Sequence, residues 1–288
     1  MTTVGFLCSR VRKDEKLLLN ELRDRDGVAV ERVDPRDVSL GLGAPGLDGA
    51  EADSLDVVVD RTMSYSRGRY AARFFESYGT PVVNTSDVAR VCGDKVETSL
   101  ALREGGVRTP DTRVAFTPES ALETVESVGY PVVVKPVVGS WARLLAKVND
   151  RDAARAVFEH KKVLGSYEHS VFYVQDFVDK PGRDVRVAVV GGEAVAAMYR
   201  SSDDWVTNAA RGADTTACEV DGELRGVAVD AARAVGAEDG VVGVDVMEDD
   251  GELTVHEVNH SLEFKKLTEA SGVNVAAEYA DHTLEVAE

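Results

Sequence analysis

The chain has 288 residues, enough for one large domain or two to three small ones around a substantial hydrophobic core. It carries 51 Asp and Glu residues against 33 Lys and Arg, most of them Arg, for a formal net charge of −18 at pH 7. No basic run stands out, so the composition disfavours nucleic-acid binding. An acidic, lysine-poor surface is typical of a halophilic cytoplasm, where salt screens self-repulsion; an acidic mesophilic protein is the alternative.

Neither the cysteines nor the N-terminus points to export. Cys8, Cys92 and Cys218 are odd in number and widely spaced, which predicts neither a disulfide framework nor a CxxC zinc pair. The N-terminal segment places its basic residues after its apolar run, the reverse of a secretory signal. No apolar run approaches the length of a membrane span. The sequence therefore predicts a cytoplasmic protein.

Residues 1–88 alternate short apolar strands with helical stretches, which predicts a small open parallel-sheet domain. The predicted strands are 4–8, 28–33, 55–59 and 81–83, with helices around 17–22 and 70–77. Gly5 is not part of a GxGxxG motif, so no dinucleotide fingerprint is present. Four polar residues follow a strand end, where open α/β sheets bind ligands, and they are either crevice residues or ordinary loop residues: Arg61, Ser64, Ser66 and Arg67.

Residues 89–165 are predicted as a second unit and 166–288 as a third. The second unit has predicted helices at 96–104, 120–128 and 152–159 and strands at 113–116, 132–134 and 144–148. Lys135 ends an apolar strand and faces a Gly139-Ser140 turn. A lysine point charge beside loop amide dipoles predicts a phosphate clamp, while a lysine that snorkels at a strand edge is the alternative.

The third unit begins with a predicted strand at 171–177 and a hairpin about Gly191-Gly192, and it contains a predicted helix at 224–235. Asp184 and Arg186 are two apart and therefore share one face of their strand. Arg200 ends the return strand of the hairpin. A polar loop with small residues follows it.

The segment from Val242 to Asn259 predicts a second hairpin with an unusual set of polar side chains. Its first strand carries Asp245, and its second carries Glu257 and Asn259, with a turn predicted at 248–251. Period-2 geometry places Glu257 and Asn259 on one face, and hairpin pairing can bring Asp245 beside them. Two carboxylates and an amide suit a hard cation such as Mg²⁺, whereas solvated surface acids are the alternative.

Taken in order, these motifs resemble the ATP-grasp ligase superfamily over nearly the whole chain. The motifs are Lys95, VVKP with Lys135, GSW, QDFV, GRDVRV, YRSS, NAARG, GVDV and EVN. The sequence resembles RimK-like carboxylate–amine ligases most, and among them the LysX/ArgX type that joins an amino acid to a small acidic amino-group carrier protein of the LysW type. The resemblance implies an α/β fold, with two α+β subdomains that clamp ATP and a pre-ATP-grasp domain before them.

The resemblance also implies roles for individual residues. The residues implied to bind ATP are Lys95, Lys135, Gly139, Ser140, Trp141, Gln175, Asp176, Phe177, Val178, Lys180, Asp184 and Arg186. Arg200 and Arg211 would neutralise charge on the transferred phosphoryl group or the substrate carboxylate. Asp245, Glu257 and Asn259 would bind Mg²⁺, with two ions expected.

The segment after Asn259 departs from the pattern of RimK-like ligases, which continue with small residues and Pro-Gly. Here it has the form Asn-x-x-x-Glu-Phe-Lys, which carrier-protein ligases show. This favours an amino-acid substrate, glutamate or α-aminoadipate, and a carboxylate that enters near Arg61 and Arg67. The residues expected to hold the amino acid are Arg200, Asn208, Ser261, Glu263 and Phe264.

The resemblance implies a homo-oligomer, dimer or tetramer, and no nucleic-acid or membrane partner. Two other functions remain open from the sequence. One is a RimK-like enzyme that adds glutamate to another protein tail, and the other is a regulatory ATP-binding module without chemistry. Retention of every charged motif residue argues against the regulatory module, since a non-catalytic binder has no use for the whole set.

Overall fold

The structure is a computed structural model that describes residues 1–42, 47–48, 55–139, 144–165, 170–207 and 212–288. Over these ranges the strands form a parallel four-stranded sheet, an antiparallel four-stranded sheet, an antiparallel five-stranded sheet and a short two-stranded ribbon. This arrangement confirms the predicted α/β class with an open parallel N-terminal sheet. No helix in the described part of the chain is long and apolar enough to cross a membrane.

The N-terminal sheet has the strand order β2-β1-β5-β6. The elements of this part of the chain are β1 (Thr2–Leu7), α1 (Lys13–Arg23), β2 (Val28–Val33), β3 (Ser39–Leu40), β4 (Leu47–Asp48), β5 (Val57–Asp60), α2 (Tyr65–Ser77), β6 (Val82–Val83) and α3 (Ser86–Gly93), of which β3 and β4 form the two-stranded ribbon. Helix α1 buries Leu18, Leu19 and Leu22, whose i, i+1, i+4 spacing forms one apolar stripe, and this stripe packs into the core.

Helix α2 begins five residues before the predicted start at residue 70. Gly68 lies in this additional part of the helix. A Cβ atom there would lie 2.4 Å from Asp60 Oδ2, so glycine at this position lets the helix approach β5 closely. Ser64 is the N-cap residue and Ser66 and Arg67 lie on the helix, so the interpretation of the latter two as loop residues was wrong.

The second sheet has the order β7-β10-β8-β9. The elements are α4 (Lys95–Glu104), β7 (Thr112–Ala115), α5 (Pro118–Val128), β8 (Val132–Lys135), β9 (Ala146–Val148), α6 (Arg151–Leu164) and β10 (Phe172–Asp176). Helices α5 and α6 cover it through a core that contains the edge-to-face pair Phe158 and Phe172. Because β10 lies in this sheet, the sheet extends to Asp176, beyond the subdomain boundary predicted at residue 165.

The third sheet has the order β13-β12-β11-β14-β15. Its elements are β11 (Arg183–Val190), β12 (Glu193–Ser201), β13 (Asp214–Cys218), α7 (Gly222–Ala234), β14 (Val241–Asp249) and β15 (Glu252–Asn259), and helices α8 (Lys265–Ser271) and α9 (Val275–Val286) follow it. Gly191 and Gly192 both have positive φ, which matches the two-residue hairpin turn. The turn between β14 and β15 is also shorter than predicted, since only Asp250 and Gly251 lie outside the strands.

The N-terminal sheet and the third sheet share one core, which includes Phe6, Leu18, Phe264 and Tyr279. Helix α9 packs against α1, so the C-terminus of the chain closes back on the first domain. Helices α3 and α4 contribute Val88 and Leu102 to the core on the other face of the third sheet. As a result, the start of α4 lies beside β15 and its acidic residues.

Candidate active site

Two adjacent cavities lie along the third sheet. The first has a volume of about 300 Å³ and opens between the second and third sheets. The second has a volume of about 720 Å³ and extends toward α1 and the segment after β15. The residues that line both cavities are Pro136, Gly139, Arg200, Asp245 and Glu257. A group that moves from a ligand in one cavity to a ligand in the other would therefore pass these side chains.

The β14–β15 hairpin brings the predicted metal ligands together. Asp245 pairs with Glu257 and Gly243 with Asn259, and Asn259 Nδ2 donates to Asp245 Oδ2 at 3.4 Å. The strict alternation of side chains predicted for the second strand was wrong at one point. Asp245 pairs with Glu257 but Val246 pairs with Val255, so His256 is an extra residue in a β-bulge. The bulge allows both His256 and Glu257 to line the first cavity.

The donor set fits a magnesium ion. It consists of oxygen atoms alone, from two carboxylates and one amide, which are the ligands that Mg²⁺ takes in proteins. No group of three His, Cys, Asp or Glu side chains could hold a metal within the described ranges, so the predicted site would need the Asn259 amide oxygen as a third protein ligand, whereas Asn259 presents its Nδ2 to Asp245. Phosphate oxygens and water would complete the shell.

Asp245 is buried and ionised between two arginines. Arg186 contacts both of its oxygens, with Nη2 to Oδ2 at 2.9 Å, and Arg200 Nη2 lies 3.0 Å from Oδ1. Burial alone would raise the pKa of Asp245, but Arg186 and Arg200 outweigh it and hold the pKa well below its usual range. The carboxylate is therefore ionised, and both of its oxygens already have guanidinium partners.

Arg200 is 4 % exposed and joins two acids. Its Nε donates to Asp184 Oδ1 at 2.6 Å, while its Nη2 reaches Asp245. Burial would lower the pKa of Arg200, yet Asp245 and Asp184 together raise it. Arg200 thus places a permanent positive charge on the wall between the cavities. Asp184 lines the first cavity, whereas Arg186, expected beside ATP, lines the second.

Four lysines line the first cavity, and three of them, Lys95, Lys135 and Lys180, were predicted to bind ATP. Lys95 begins α4, where Asp94 caps the helix, and its Nζ donates to Gly139 O at 2.7 Å and lies 3.7 Å from Glu257 Oε1. Lys135 is 8 % exposed and donates to Gln175 Oε1 at 2.6 Å. Burial lowers the pKa of Lys135 to about 8.

Lys180 Nζ lies 3.3 Å from Asp184 Oδ2, and burial lowers its pKa as well. Lys95, Lys135 and Lys180 are thus brought to one cavity, as predicted, and each already has an oxygen partner there. Together they form a cationic lining of the kind that binds phosphate groups.

The remaining wall of this cavity is largely apolar and aromatic. Phe177 and Trp205 stack edge to face at 6.2 Å, and Lys147 Nζ lies 3.6 Å from the centre of the Phe177 ring. The other members of this wall are Val133, Leu145, Val178, Val206 and Met247. Such a surface suits a flat aromatic base.

Gln175 does not face a base with its side chain. Its Nε2 donates to Tyr173 OH at 3.0 Å, and its Oε1 holds Lys135. Asp176 lines the cavity and pairs with Arg113 at 2.8 Å. Gln175 and Asp176 therefore border the cavity through backbone groups or through a neighbouring lysine.

The sequence interpretation missed several residues of the first cavity, notably Trp205, Thr207, Met247 and His256. His256 Nε2 is buried and has no hydrogen-bond partner among the described residues, and burial lowers the pKa of His256 to about 4, so its ring is neutral. An unpaired buried nitrogen at a cavity wall points to a polar ligand. The tight Asp-Gly turn could have revealed the hairpin register, but no local signal marks the bulge.

The second cavity is lined by Asn259, His260, Ser261 and Glu263. Phe264 is not there, so its predicted contact with substrate was wrong. Its side chain is fully buried and stacks on Tyr279 with ring centres 6.3 Å apart. Apolar residues 262 and 264 turn into the core because alternate residues of this short extended segment face opposite sides.

Arg61 also differs from expectation. It is 1 % exposed, its Nη2 pairs with Glu15 Oε1 at 3.1 Å, and its Nη1 donates to Leu262 O at 2.9 Å. It therefore lies behind the cavity wall rather than at an entrance, and Arg67 lines neither cavity. The basic residues that line the second cavity beside Asp14 and Glu263 are instead Arg12, Lys13, Lys265 and Lys266.

Four predicted site residues lie outside the described ranges. These are Ser140, Trp141, Asn208 and Arg211.

Comparisons with known proteins place the whole chain beside one family. The family model of the RimK-like ATP-grasp domain matches residues 92–283, and that of the LysX preATP-grasp domain matches residues 4–91. The chain is 31 % identical over 269 residues to the alpha-aminoadipate–LysW ligase LysX of Sulfolobus acidocaldarius, covering 93 % of this chain and 96 % of the relative.

The chain is also 31 % identical over 288 residues to the glutamate–LysW ligase ArgX of Sulfolobus acidocaldarius, covering 97 % of each. Among solved structures, a RimK domain ATP-grasp protein of Sphaerobacter thermophilus matches with a TM-score of 0.79 and 26 % identity, over 98 % of this chain and 100 % of that one. Equal identity to the LysX and the ArgX relative does not discriminate between the two amino acids in their names.

Proposed function

Because this chain belongs to the RimK-like ATP-grasp family, we propose that it is an ATP- and Mg²⁺-dependent carboxylate–amine ligase. It joins the C-terminal glutamate carboxylate of a small acidic LysW-type carrier protein to the α-amine of glutamate or α-aminoadipate, with release of ADP and phosphate. The observation that carries this proposal is the meeting of two cavities at Arg200, Asp245 and Glu257. A binding module needs one cavity, whereas a ligase must bring a nucleotide and a second substrate to a common wall.

The residues of the first cavity support nucleotide binding. Lys95 and Lys135 would hold the phosphates, and the wall with Phe177, Trp205 and Met247 would receive the base. Asp245, Glu257 and Asn259 would hold Mg²⁺, which would supply positive charge to offset that of the phosphates. The presence of two ions and the homo-oligomeric state stay predictions.

The chemistry follows from the weakness of a carboxylate as an electrophile. A carboxylate oxygen of the carrier attacks the γ-phosphorus, and the bond from that phosphorus to ADP breaks, which gives an acyl phosphate. The neutral amine nitrogen then attacks the acyl carbon, phosphate leaves, and the nitrogen loses a proton to form the amide. Arg200 and the lysines would stabilise the charge that spreads over the phosphoryl oxygens.

The second cavity supports a separate place for the amine. Ser261 and Glu263 line it next to Asn259, and Arg186 and Arg200 offer guanidinium groups for a carboxylate. This protein has a net charge of −18, yet the second cavity is lined in part by the basic residues Lys13, Lys265 and Lys266. These residues suit the approach of an acidic carrier.

The test is to incubate the enzyme with Mg-ATP, a LysW-type carrier and either glutamate or α-aminoadipate, and to measure the intact mass of the carrier. We expect a carrier heavier by one amino-acid residue. The two amino acids differ by one methylene, for which a pocket discriminates by about 10- to 200-fold, so competition between them identifies the preferred substrate. Glutamate chains on another protein, with an unmodified carrier, would support the RimK-like alternative.

Nucleotide binding should depend on pH through Lys135. Its pKa of about 8 in the free protein means that its charge is lost as the pH rises through that value, and bound phosphate raises the pKa again because it favours the charged form. We therefore expect Mg-ATP affinity to fall above pH 8, by at most about tenfold per pH unit. Binding near pH 8 should also take up a proton, measured by calorimetry in buffers of different ionisation enthalpy.

Lys135→Arg provides the control, because a guanidinium keeps its charge throughout this range. Proton uptake of unchanged size in this variant would assign the effect to another group.

A further inference from the structure

The N-terminal domain holds the part of the second cavity that is proposed to bind the amino-acid substrate, which we call the acceptor site. Residues 260–265 join β15 to α8 and carry Ser261 and Glu263 on the wall of the second cavity. Their backbone groups are largely outside the sheet ladder, so something else must fix them. Each backbone contact described below comes from a side chain that precedes residue 92.

The first contact fixes the start of the segment. Asn84 Nδ2 donates to His260 O at 2.6 Å and to Val241 O at 2.7 Å, while Asn84 Oδ1 accepts from Val241 N at 2.6 Å. Asn84 is 4 % exposed, so it satisfies these carbonyl and amide groups where water does not reach. It ties the residue directly after Asn259 to the beginning of β14.

The second contact fixes the middle of the segment. Arg61 Nη1 donates to Leu262 O at 2.9 Å, and its guanidinium lies 5.6 Å from the centre of the Phe264 ring. Glu15, fully buried, pairs with both Arg61 at 3.1 Å and Arg12 at 2.8 Å. Arg12 in turn reaches Glu263 Oε1 at 3.0 Å, so the same ion-pair group touches the cavity wall.

The third contact fixes the end of the segment. Asp14 Oδ1 accepts from the backbone N–H groups of Phe264 at 2.7 Å and Lys265 at 2.8 Å. These are the first N–H groups of α8, which has no side-chain cap of its own at Phe264. A carboxylate from α1 thus replaces the missing cap.

We propose that Asp14, Arg61 and Asn84 are positioning residues for the amino-acid substrate, because they fix the backbone that presents Ser261 and Glu263 to the second cavity, which Asp14 also lines. This inference rests on the proposed function. The domain that precedes the ATP-binding parts therefore shapes the acceptor site without lining the nucleotide cavity. A loss at these positions should weaken acceptor binding and leave Mg-ATP binding intact.

Asp14→Ala and Asp14→Asn provide the test, since Asp14 is half-buried and removal of its side chain leaves the core unchanged. We expect Asp14→Ala to raise the KM for the preferred amino acid by about tenfold, with the Kd for Mg-ATP within twofold of the unmodified enzyme. Asp14→Asn, which keeps one acceptor oxygen, should recover most of the KM. Amide hydrogen exchange in the ligand-free protein should accelerate at residues 264–267 in Asp14→Ala.

Arg25→Ala is the matched control, because it breaks another ion pair between the N-terminal domain and α9, to Asp281 at 2.7 Å, and neither residue lines a cavity. It should change neither the KM nor exchange at 264–267. An unmodified enzyme that does not extend the carrier would overturn the proposed function and this inference with it. An active enzyme in which Asp14→Ala keeps its amino-acid KM, or loses Mg-ATP affinity to the same extent, would overturn the inference alone.

Discussion

Glu257→Gln is expected to reduce Mg²⁺-dependent ATP turnover by about a thousandfold or more. Glu257 pairs across the hairpin with Asp245 and lines both cavities, so its carboxylate is expected to bind Mg²⁺ where the two cavities meet. A metal that stabilises charge on the transferred phosphoryl group contributes several kcal/mol, and about 4 kcal/mol corresponds to a thousandfold. Glutamine keeps the size of the side chain and removes the charge.

The fold should survive this substitution. Glu257 is part-exposed, and in the described part of the chain its ion pair is to Lys95 Nζ at 3.7 Å, so its loss should change the free energy of unfolding by about 1 kcal/mol or less. Calorimetric titration with Mg-ADP provides a readout besides turnover, and weaker Mg²⁺-dependent binding is expected.

Glu252→Gln is the control for this experiment. Glu252 lies on the same strand and has a comparable partner, Arg108 Nη1 at 3.7 Å, but it lines neither cavity. Turnover should therefore be unchanged in Glu252→Gln. Full turnover in Glu257→Gln would remove the hairpin from the mechanism.

Arg200→Lys should reduce kcat by about a hundred- to a thousandfold while most of the stability is kept. A lysine retains the charge between Asp184 and Asp245, but a single ammonium group cannot reproduce the two directed contacts of the guanidinium. The loss of one preorganised donor at a developing charge has this magnitude. Single-turnover measurements with saturating Mg-ATP would report it.

Arg200→Met should behave differently. It leaves Lys180 and Arg186 as the cationic partners of the buried carboxylates of Asp184 and Asp245 within the described residues, which should cost about 3–5 kcal/mol in the free energy of unfolding. The control is Arg183→Met, which breaks a two-contact pair with Glu248 at 2.8 and 2.9 Å on the surface and should cost about 1 kcal/mol or less. Equal losses from the two methionine variants would contradict a special role for burial at Arg200.

The parts of the site that could be predicted from sequence depend on short-range geometry. Asp245, Glu257 and Asn259 lie on one hairpin, so alternation and turn residues bring them together without knowledge of the fold. Lys135 ends a buried strand, and its position there follows from the apolar run before it. The parallel N-terminal sheet follows likewise from alternating strands and helices.

The parts that could not be predicted depend on contacts distant in sequence. Arg61 looked like a crevice residue because its partner, Glu15, is 46 positions away. Phe264 belonged to a substrate motif, and its core contact with Tyr279 requires α9 to pack against α1. Helix α9 itself was missed although its buried positions, Val275, Tyr279 and Thr283, follow helical spacing.

The bulge at His256 makes the register of β15 independent of one residue, although the His256 ring itself lines the first cavity. In a regular strand, one residue more or fewer reverses the face of every side chain beyond it. At the bulge, loss of His256 would restore plain alternation from Val255 through Glu257 to Asn259, so both ligands would keep their face. A residue inserted between Val242 and Asp245 would instead rotate Asp245 toward the core. Chain length is therefore tightly fixed on β14 and permissive at a single residue of β15.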